Sequence, residues 1–487
     1  MIESIKSLFK LHKPLFILLF FFTILRLLVV PQFDLGVDEA HYLLYAKYLD
    51  FSYFDHPPLV GWIHYLLNST FGYSEFFARL SAIFIGIFSS ISIYILILKI
   101  SNKSELAFIA TLALNASFLF NALFMMLMPD TLLFILIVPI IFVTLNIEKS
   151  NLLKDWLWLG LLLGFAGLAK YTAILFIIPI ILYFIIKKRF TLFYTPKIIP
   201  SIVIASIMII PVLYWNYQNE WISFAFQSSH VAGEKSLNIT GFFQSIVAQI
   251  GAYNPFLVIL SYMALYKALK SKNDILFLTA LFGFVILSFF TYNSLYNRAL
   301  PHWSSLFYML FIPLGIYYFY ESYKKYSKFA IGFGLVITII LYSELAFKWI
   351  PLPDYQSAHR DIYGYPQMLE KANGYIKNNN TQVLATHNWS LASRILYYNQ
   401  NYKSDVVLVD TKYDQFDIWQ ERNNLNKNYH DKDLLFISTH FLTFNLHNYL
   451  KCDKLVNEES FDIILNDAKV NTFHFTWCKN YQGFINE

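Results

Sequence analysis

The chain has 487 residues, of which 57% are hydrophobic, 19% aromatic and only 14% charged, against about 25% charged in an ordinary soluble domain. That deficit excludes disorder, a coiled coil and a plain cytosolic enzyme, and it points to a multi-span membrane protein. The net charge of +5 sits in short basic clusters between apolar runs, not on the single basic face that nucleic acid requires.

Eleven apolar segments follow one another, at 14–31, 78–98, 106–124, 131–147, 156–169, 172–186, 198–215, 252–266, 275–292, 303–320 and 329–349. Each is read as a transmembrane span, for which about 20 residues are expected. Lys170 interrupts the pair 156–169 and 172–186, which reads as two short spans or as one span and a re-entrant piece. The segment at 252–266 could equally begin at Phe242. The first segment is long and no small-residue cleavage site follows it, so it is expected to remain as a span. Lysines and arginines cluster before the first span and after the second, fourth, sixth, eighth and tenth, for example Lys187, Lys188 and Arg189 after the sixth. This alternation is the positive-inside pattern. It predicts a cytoplasmic N-terminus and an outer C-terminus.

The first outer loop, 32–77, directly follows span one and holds two polar clusters. In Asp34-Leu35-Gly36-Val37-Asp38-Glu39-Ala40-His41-Tyr42, Gly36 can open a helix with Asp38 and Glu39 in its favourable first turn. Spacing then puts Asp38, His41, Tyr42 and Tyr45 on one face. In Tyr53-Phe54-Asp55-His56-Pro57-Pro58, the proline pair fixes an extended turn just after Asp55 and His56. Acids beside a span also serve topology and solvation, and tyrosines populate bilayer interfaces. Two such clusters in one outer loop favour function.

Later outer positions add Asp130, a helix cap or a site residue, and Lys170, which either holds a ligand or snorkels to the interface. Trp221, Arg298 and His302 lie on further outer loops. Beyond about 350 the composition turns polar. Short β-branched runs alternate with helical stretches, which predicts a small α/β domain over 351–487 after a membrane domain over 1–350. The two cysteines, Cys452 and Cys478, fall in it and are either paired or both free thiols.

These motifs resemble the membrane-embedded transferases that use lipid-linked sugars. The Asp-Glu-x-x-Tyr element after span one, the Tyr-Phe-Asp-His-Pro element before span two, Met128-Pro129-Asp130, Gly167–Thr172, Trp215–Gln227 and Leu300-Pro301-His302-Trp303 are similar as a set to glycosyltransferase family 39. This is the bacterial branch of the protein O-mannosyltransferase-like superfamily, with lipid A aminoarabinose transferases and lipopolysaccharide galacturonosyltransferases as relatives. His41 and His56 stand where the aminoarabinose branch carries arginine and lysine, so the Asp-His-Pro-Pro form looks more like the galacturonosyl branch.

The resemblance implies an α-helical polytopic membrane protein of the GT-C type, with about eleven spans and a small periplasmic α/β domain, in the bacterial inner membrane. It implies inverting transfer from a polyprenyl (undecaprenyl) phosphate sugar to a glycolipid or glycan acceptor. On that expectation Asp38 is the catalytic base and Glu39 its neighbour in catalysis. Lys170, His56, Arg298 and His302 would bind the donor phosphate, and His41, Tyr42, Asp55, Asp130 and Trp221 the substrates. A divalent metal is left open: Asp38, His41, Asp55 and His56 are suitable by type, but they match no compact ligand spacing. The competing classes are a glycan ligase or polymerase and a lipid or sugar transporter. A transporter would place ionisable residues at mid-membrane, whereas here they gather in outer loops; a ligase or polymerase would carry one large outer loop between late spans, whereas here the carboxylates follow span one.

Overall fold

The computed structural model describes residues 2–232, 236–297, 299–379, 383–402, 404–409, 413–420, 428–442 and 444–485. Helices α1 (Ile2–Val29), α2 (Val37–Lys47) and α3 (Leu59–Phe71) come first. A continuous run of apolar helices follows: α4 (Glu75–Ser101), α5 (Ser104–Asn115), α6 (Phe118–Leu123), α7 (Pro129–Ser150), α8 (Leu153–Ala169), α9 (Ile177–Ile186) and α10 (Ile198–Gln218). It continues with α11 (Ile222–Ala232), α12 (Ile239–Tyr253), α13 (Pro255–Leu269), α14 (Asp274–Asn293), α15 (Ser305–Phe319) and α16 (Lys324–Phe347).

All eleven predicted segments are helical, but they differ in length. Among the described residues six helices are long and apolar enough to cross a membrane alone: His12–Gln32, α4, α7, α10, α14 and α16. A seventh arises if α12 and α13, bent by 109°, count as one broken span. The remaining predicted spans fall on shorter pieces. One is α15, whose 15 residues extend about 22 Å at 1.5 Å per residue. Residues 305–316 of α15 are buried without a break, so neighbouring helices, not lipid, surround it.

The chain forms two compact units that are not consecutive in sequence. The first comprises 1–28, 50–60 and 76–341; the second comprises 29–49, 61–75 and 342–487. The segment 32–77 is thus divided between them.

In the first unit a polar network sits inside the apolar helices. Arg26 donates to Asn115 at 3.0 Å and to Asn121 at 3.4 Å. Asn115 donates to Ser90, and Asn121 to Thr338. Its guanidinium also lies 5.0 Å from the Phe124 ring centre. A buried cation persists only where hydrogen bonds and ring faces replace its water. Helices α8 and α10 approach closely because α8 carries Gly160 and Gly164 one turn apart. A Cβ at Gly160 would lie 2.4 Å from the Ser201 carbonyl oxygen, and one at Gly164 2.4 Å from Met208 Sδ. Small residues at this spacing let helix backbones meet.

The second unit contains α17 (Tyr365–Asn379), β1 (Val383–Thr386), α18 (Trp389–Tyr398), β2 (Asp405–Leu408), α19 (Gln415–Gln420), β3 (Leu434–Thr439), β4 (Leu450–Asn457), β5 (Phe461–Leu465) and β6 (Ala468–Phe484). The strands form a mixed sheet in the order β2-β1-β3-β6-β4, with β5 also on β6. Pairing of β1 with β2 and β3 is parallel, and pairing of β6 with β3, β4 and β5 is antiparallel. Val383, Ala385, Val407, Leu434 and Phe436 supply the core with Cys478 and Tyr481. Cys452 and Cys478 are joined in a disulfide that ties β4 to β6, with Cα atoms 5.4 Å apart. In α3, His64 and Asn68 are buried one turn apart, and neither side chain has a hydrogen-bond partner among the described residues.

Candidate functional site

In the helical unit the polar centre is an ion pair. Lys170 Nζ donates to Asp130 Oδ2 at 2.6 Å, with the residues only 8% and 4% exposed. Helix geometry explains where both charges sit. Asp130 lies in the first turn of α7, and Lys170 is the residue at which α8 ends, in extended conformation. A carboxylate at a helix start and an ammonium at a helix end are each favoured by the helix dipole. Asp130 does not cap α7: the backbone of Met128 is bonded by Thr131 Oγ1, leaving the carboxylate directed to Lys170. Lys170 has three N–H donors, of which one is engaged by Asp130. His302 and His56 lie near enough to Asp130 to act on it electrostatically.

The segment 50–56 is held against the same unit. Ser223 donates to the Tyr53 carbonyl at 2.8 Å, and Gln227 to the Asp55 carbonyl at 2.7 Å. Trp215 Nε1 donates to Asp50 at 2.8 Å. The prolines end a turn in which Tyr53 N–H reaches the His56 carbonyl at 3.1 Å. Asp55 and His56 approach to 3.9 Å. Tyr171, next to Lys170, contacts Ser52 at 3.2 Å and accepts from Asn216 at 3.4 Å. Sequence reasoning singled out none of Ser52, Tyr171, Asn216, Ser223 or Gln227 as a site residue. Their only signal was that Tyr171, Asn216, Ser223 and Gln227 lie inside or at the ends of quoted motifs.

Lys170 and Tyr171 line an apolar groove of about 720 Å³. Its walls come from α8, α9 and α10, with Leu163, Gly167, Phe184 and Ile209 among them. Trp221 is half exposed and stacks on Phe224, which also lines the groove. The unit therefore brings Lys170, Asp130, His56, Asp55 and His302 into one neighbourhood. Arg298 lies outside the described residues.

Asp38, Glu39, His41 and Tyr42 belong to the second unit. Gly36 is the N-cap of α2, as the sequence predicts, and Glu39 returns to accept from the Gly36 N–H at 3.2 Å. Glu39 is buried and Asp38 half-buried in that first turn. His41 is 5% exposed, contacts Ser393 at 3.2 Å, and is surrounded by Tyr45, Trp389 and Trp419. Tyr42 is also buried, with Tyr45 beside it. Of the predicted face, His41 and Tyr45 thus touch α18 or α19, while Asp38 stays half-buried at the start of α2.

No three His, Cys, Asp or Glu side chains gather into a metal-holding group among the described residues. Of the four residues suitable by type, Asp38 and His41 belong to the second unit and Asp55 and His56 to the first.

Residues 55–215 match the family described as dolichyl-phosphate-mannose-protein mannosyltransferase. The chain is 21% identical over 381 residues to the lipid A galacturonosyltransferase RgtD of Rhizobium johnstonii, covering 75% of this chain and 77% of that protein. The crystal structure of ArnT from Cupriavidus metallidurans bound to undecaprenyl phosphate superposes with a TM-score of 0.64 at 12% identity, over 94% of this chain and 97% of ArnT. The apo form of the same protein gives 0.63 at 12% identity, over 93% and 96%. The resemblance read from the sequence is borne out, and the fold is like that of ArnT: apolar helices with a small C-terminal sheet domain.

Proposed function

We propose that the chain is an inverting glycosyltransferase that moves a sugar from a polyprenyl phosphate to an acceptor on the outer face of the bacterial inner membrane. The observation that carries this reading is the buried Lys170–Asp130 pair at an apolar groove. An isoprenoid phosphate needs both parts, apolar walls for the chain and a fixed cation for the leaving phosphate. Lys170 supplies the cation, and Asp130 pairs with it and fixes its position. His56 and His302 add positive charge when protonated, and Arg298 is the further cation of this proposal. The acceptor hydroxyl oxygen bonds to the anomeric carbon as the carbon–oxygen bond to phosphate breaks. The bonding electrons leave with polyprenyl phosphate, and Asp38 takes the hydroxyl proton. Glu39 fixes the helix turn that presents Asp38. Asp55, His41, Tyr42 and Trp221 are assigned to holding the substrates, and the acceptor class is lipid A, lipopolysaccharide or a related envelope glycan.

Two observations support the orientation: the alternation of basic loops, and the Cys452–Cys478 disulfide, which persists in an oxidising compartment. The test is mass spectrometry of envelope glycolipids from a strain lacking the protein, restored with wild type or with Asp38→Asn. The expected result is a single-sugar increment restored by wild type alone. Restoration by Asp38→Asn would remove Asp38 from catalysis, and unchanged lipids without accumulated polyprenyl phosphate sugar would overturn the transferase reading.

A further inference from the structure

The second unit has a hollow of its own, about 340 Å³, within the range of roughly 300–1,000 Å³ usual for small-molecule sites. Lys47 and Tyr48 at the end of α2, Asn399 and Tyr402 after α18, and Asp405 with Tyr429 beside the edge strand β2 line it. Its wall is mainly polar, unlike the groove of the helical unit. Asn399 is 5% exposed; its Nδ2 donates to the Ser404 carbonyl, and its Oδ1 has no donor among the described residues. A buried carbonyl oxygen without a donor is costly, so a ligand or solvent donor belongs there.

The chemistry narrows the ligand. An anion would face the Asp405 carboxylate and the Asn399 Oδ1, both acceptors. A metal or organic cation would face the Lys47 ammonium. An apolar ligand would leave the amide, carboxylate and ammonium without water. What remains is a neutral molecule carrying hydroxyl groups, each both donor and acceptor, and a C–H face for an aromatic ring. Tyr48, stacked on Trp419 with ring centres 4.8 Å apart, and the exposed Tyr402 supply rings. The Tyr429 hydroxyl, the Asp405 carboxylate and the Lys47 ammonium supply directed polar groups.

We propose that this hollow is a saccharide-binding site for one neutral hexose unit, built wholly in the second unit from residues not assigned to transfer. It stands whether or not the transferase reading does. The test is saturation-transfer NMR on the full-length protein in a detergent without a sugar head group. The probes are the methyl glycosides of glucose, galactose, mannose and N-acetylglucosamine, with inorganic phosphate as the anionic comparison. At least one glycoside should bind saturably. Asn399→Ala and Tyr402→Ala should each weaken it about 10-fold, as the loss of one directed contact would. Tyr402 is exposed, so its variant keeps the test meaningful if Asn399→Ala fails to fold. The proposal is overturned if no glycoside saturates, if phosphate alone binds, or if binding survives unchanged in Tyr402→Ala and in a folded Asn399→Ala.

Discussion

Lys170 and Asp130 hold each other in a setting where neither charge is tolerable alone. Removing one partner of a buried pair costs about 3–5 kcal/mol, because the other charge is left desolvated. Asp130→Asn should therefore destabilise the protein by that amount, and the double change Asp130→Asn with Lys170→Met should recover most of it. Thermal unfolding of the three proteins in detergent checks this: equal loss in the single and double variants would refute the pairing. A second residue-scale effect concerns pH. Burial without a partner lowers the His64 imidazole from its ordinary value to about 3. Below about pH 6.5 the unfolded chain takes a proton that the folded chain refuses, so stability is full above that pH and falls by about 1.4 kcal/mol per unit below it. Between pH 6.5 and pH 5 this amounts to about 2 kcal/mol. His64→Leu should lose less stability than wild type on acidification, and parallel melting curves at pH 7.5 and pH 5 would contradict it.

At the scale of elements, the groove depends on how closely α8 and α10 meet. A side chain at Gly160 would strike the backbone at Ser201, and backbone cannot step aside as a side chain can. Gly160→Leu should separate the helices and widen the groove, lowering thermal stability and weakening retention of undecaprenyl phosphate in a binding assay; unchanged binding would detach the groove from the lipid. Most of the elements were legible in the sequence. Hydropathy located the long apolar helices but not α3 or α11, and it marked α12 only as a possible extension of the segment at 252–266; Gly36 with Glu39 marked the start of α2. Lys170 stood out because a lysine between apolar runs is rare. Span lengths were less legible: the bend at Asn254 and the early end of α8 depend on packing and local backbone geometry, which hydropathy averages away. What packs on the His41 face was illegible for another reason. Its partners, Ser393 and Trp419, are more than 350 residues distant, and amphipathic spacing tells that a face is covered but not by what. Ser52, Tyr171 and Asn216 are single neutral polar residues, which carry no periodic signal.

For the whole molecule, the disulfide is the covalent fixture of the second unit. It closes a separation of 26 residues between β4 and β6. Loop closure of that size removes about 3 kcal/mol of conformational freedom from the unfolded chain. Cys452→Ser with Cys478→Ser should lower the unfolding temperature of that unit, read by near-ultraviolet circular dichroism of its aromatic residues. Reducing agent should reproduce the shift in wild type and leave the double variant unchanged.

The division of the chain into interleaved units also bears on how it is made. Helix α2 leaves the ribosome early, yet His41 meets Ser393 across 352 positions. At about 5–20 residues per second of synthesis, the aromatic face of α2 waits roughly 20–70 s for the helix that covers it. During that interval the nascent protein carries an uncovered sticky surface beside its first span. Chains released before residue 389 never acquire the cover, so premature termination should yield a species recognised by quality-control proteases, even though every membrane helix is already complete.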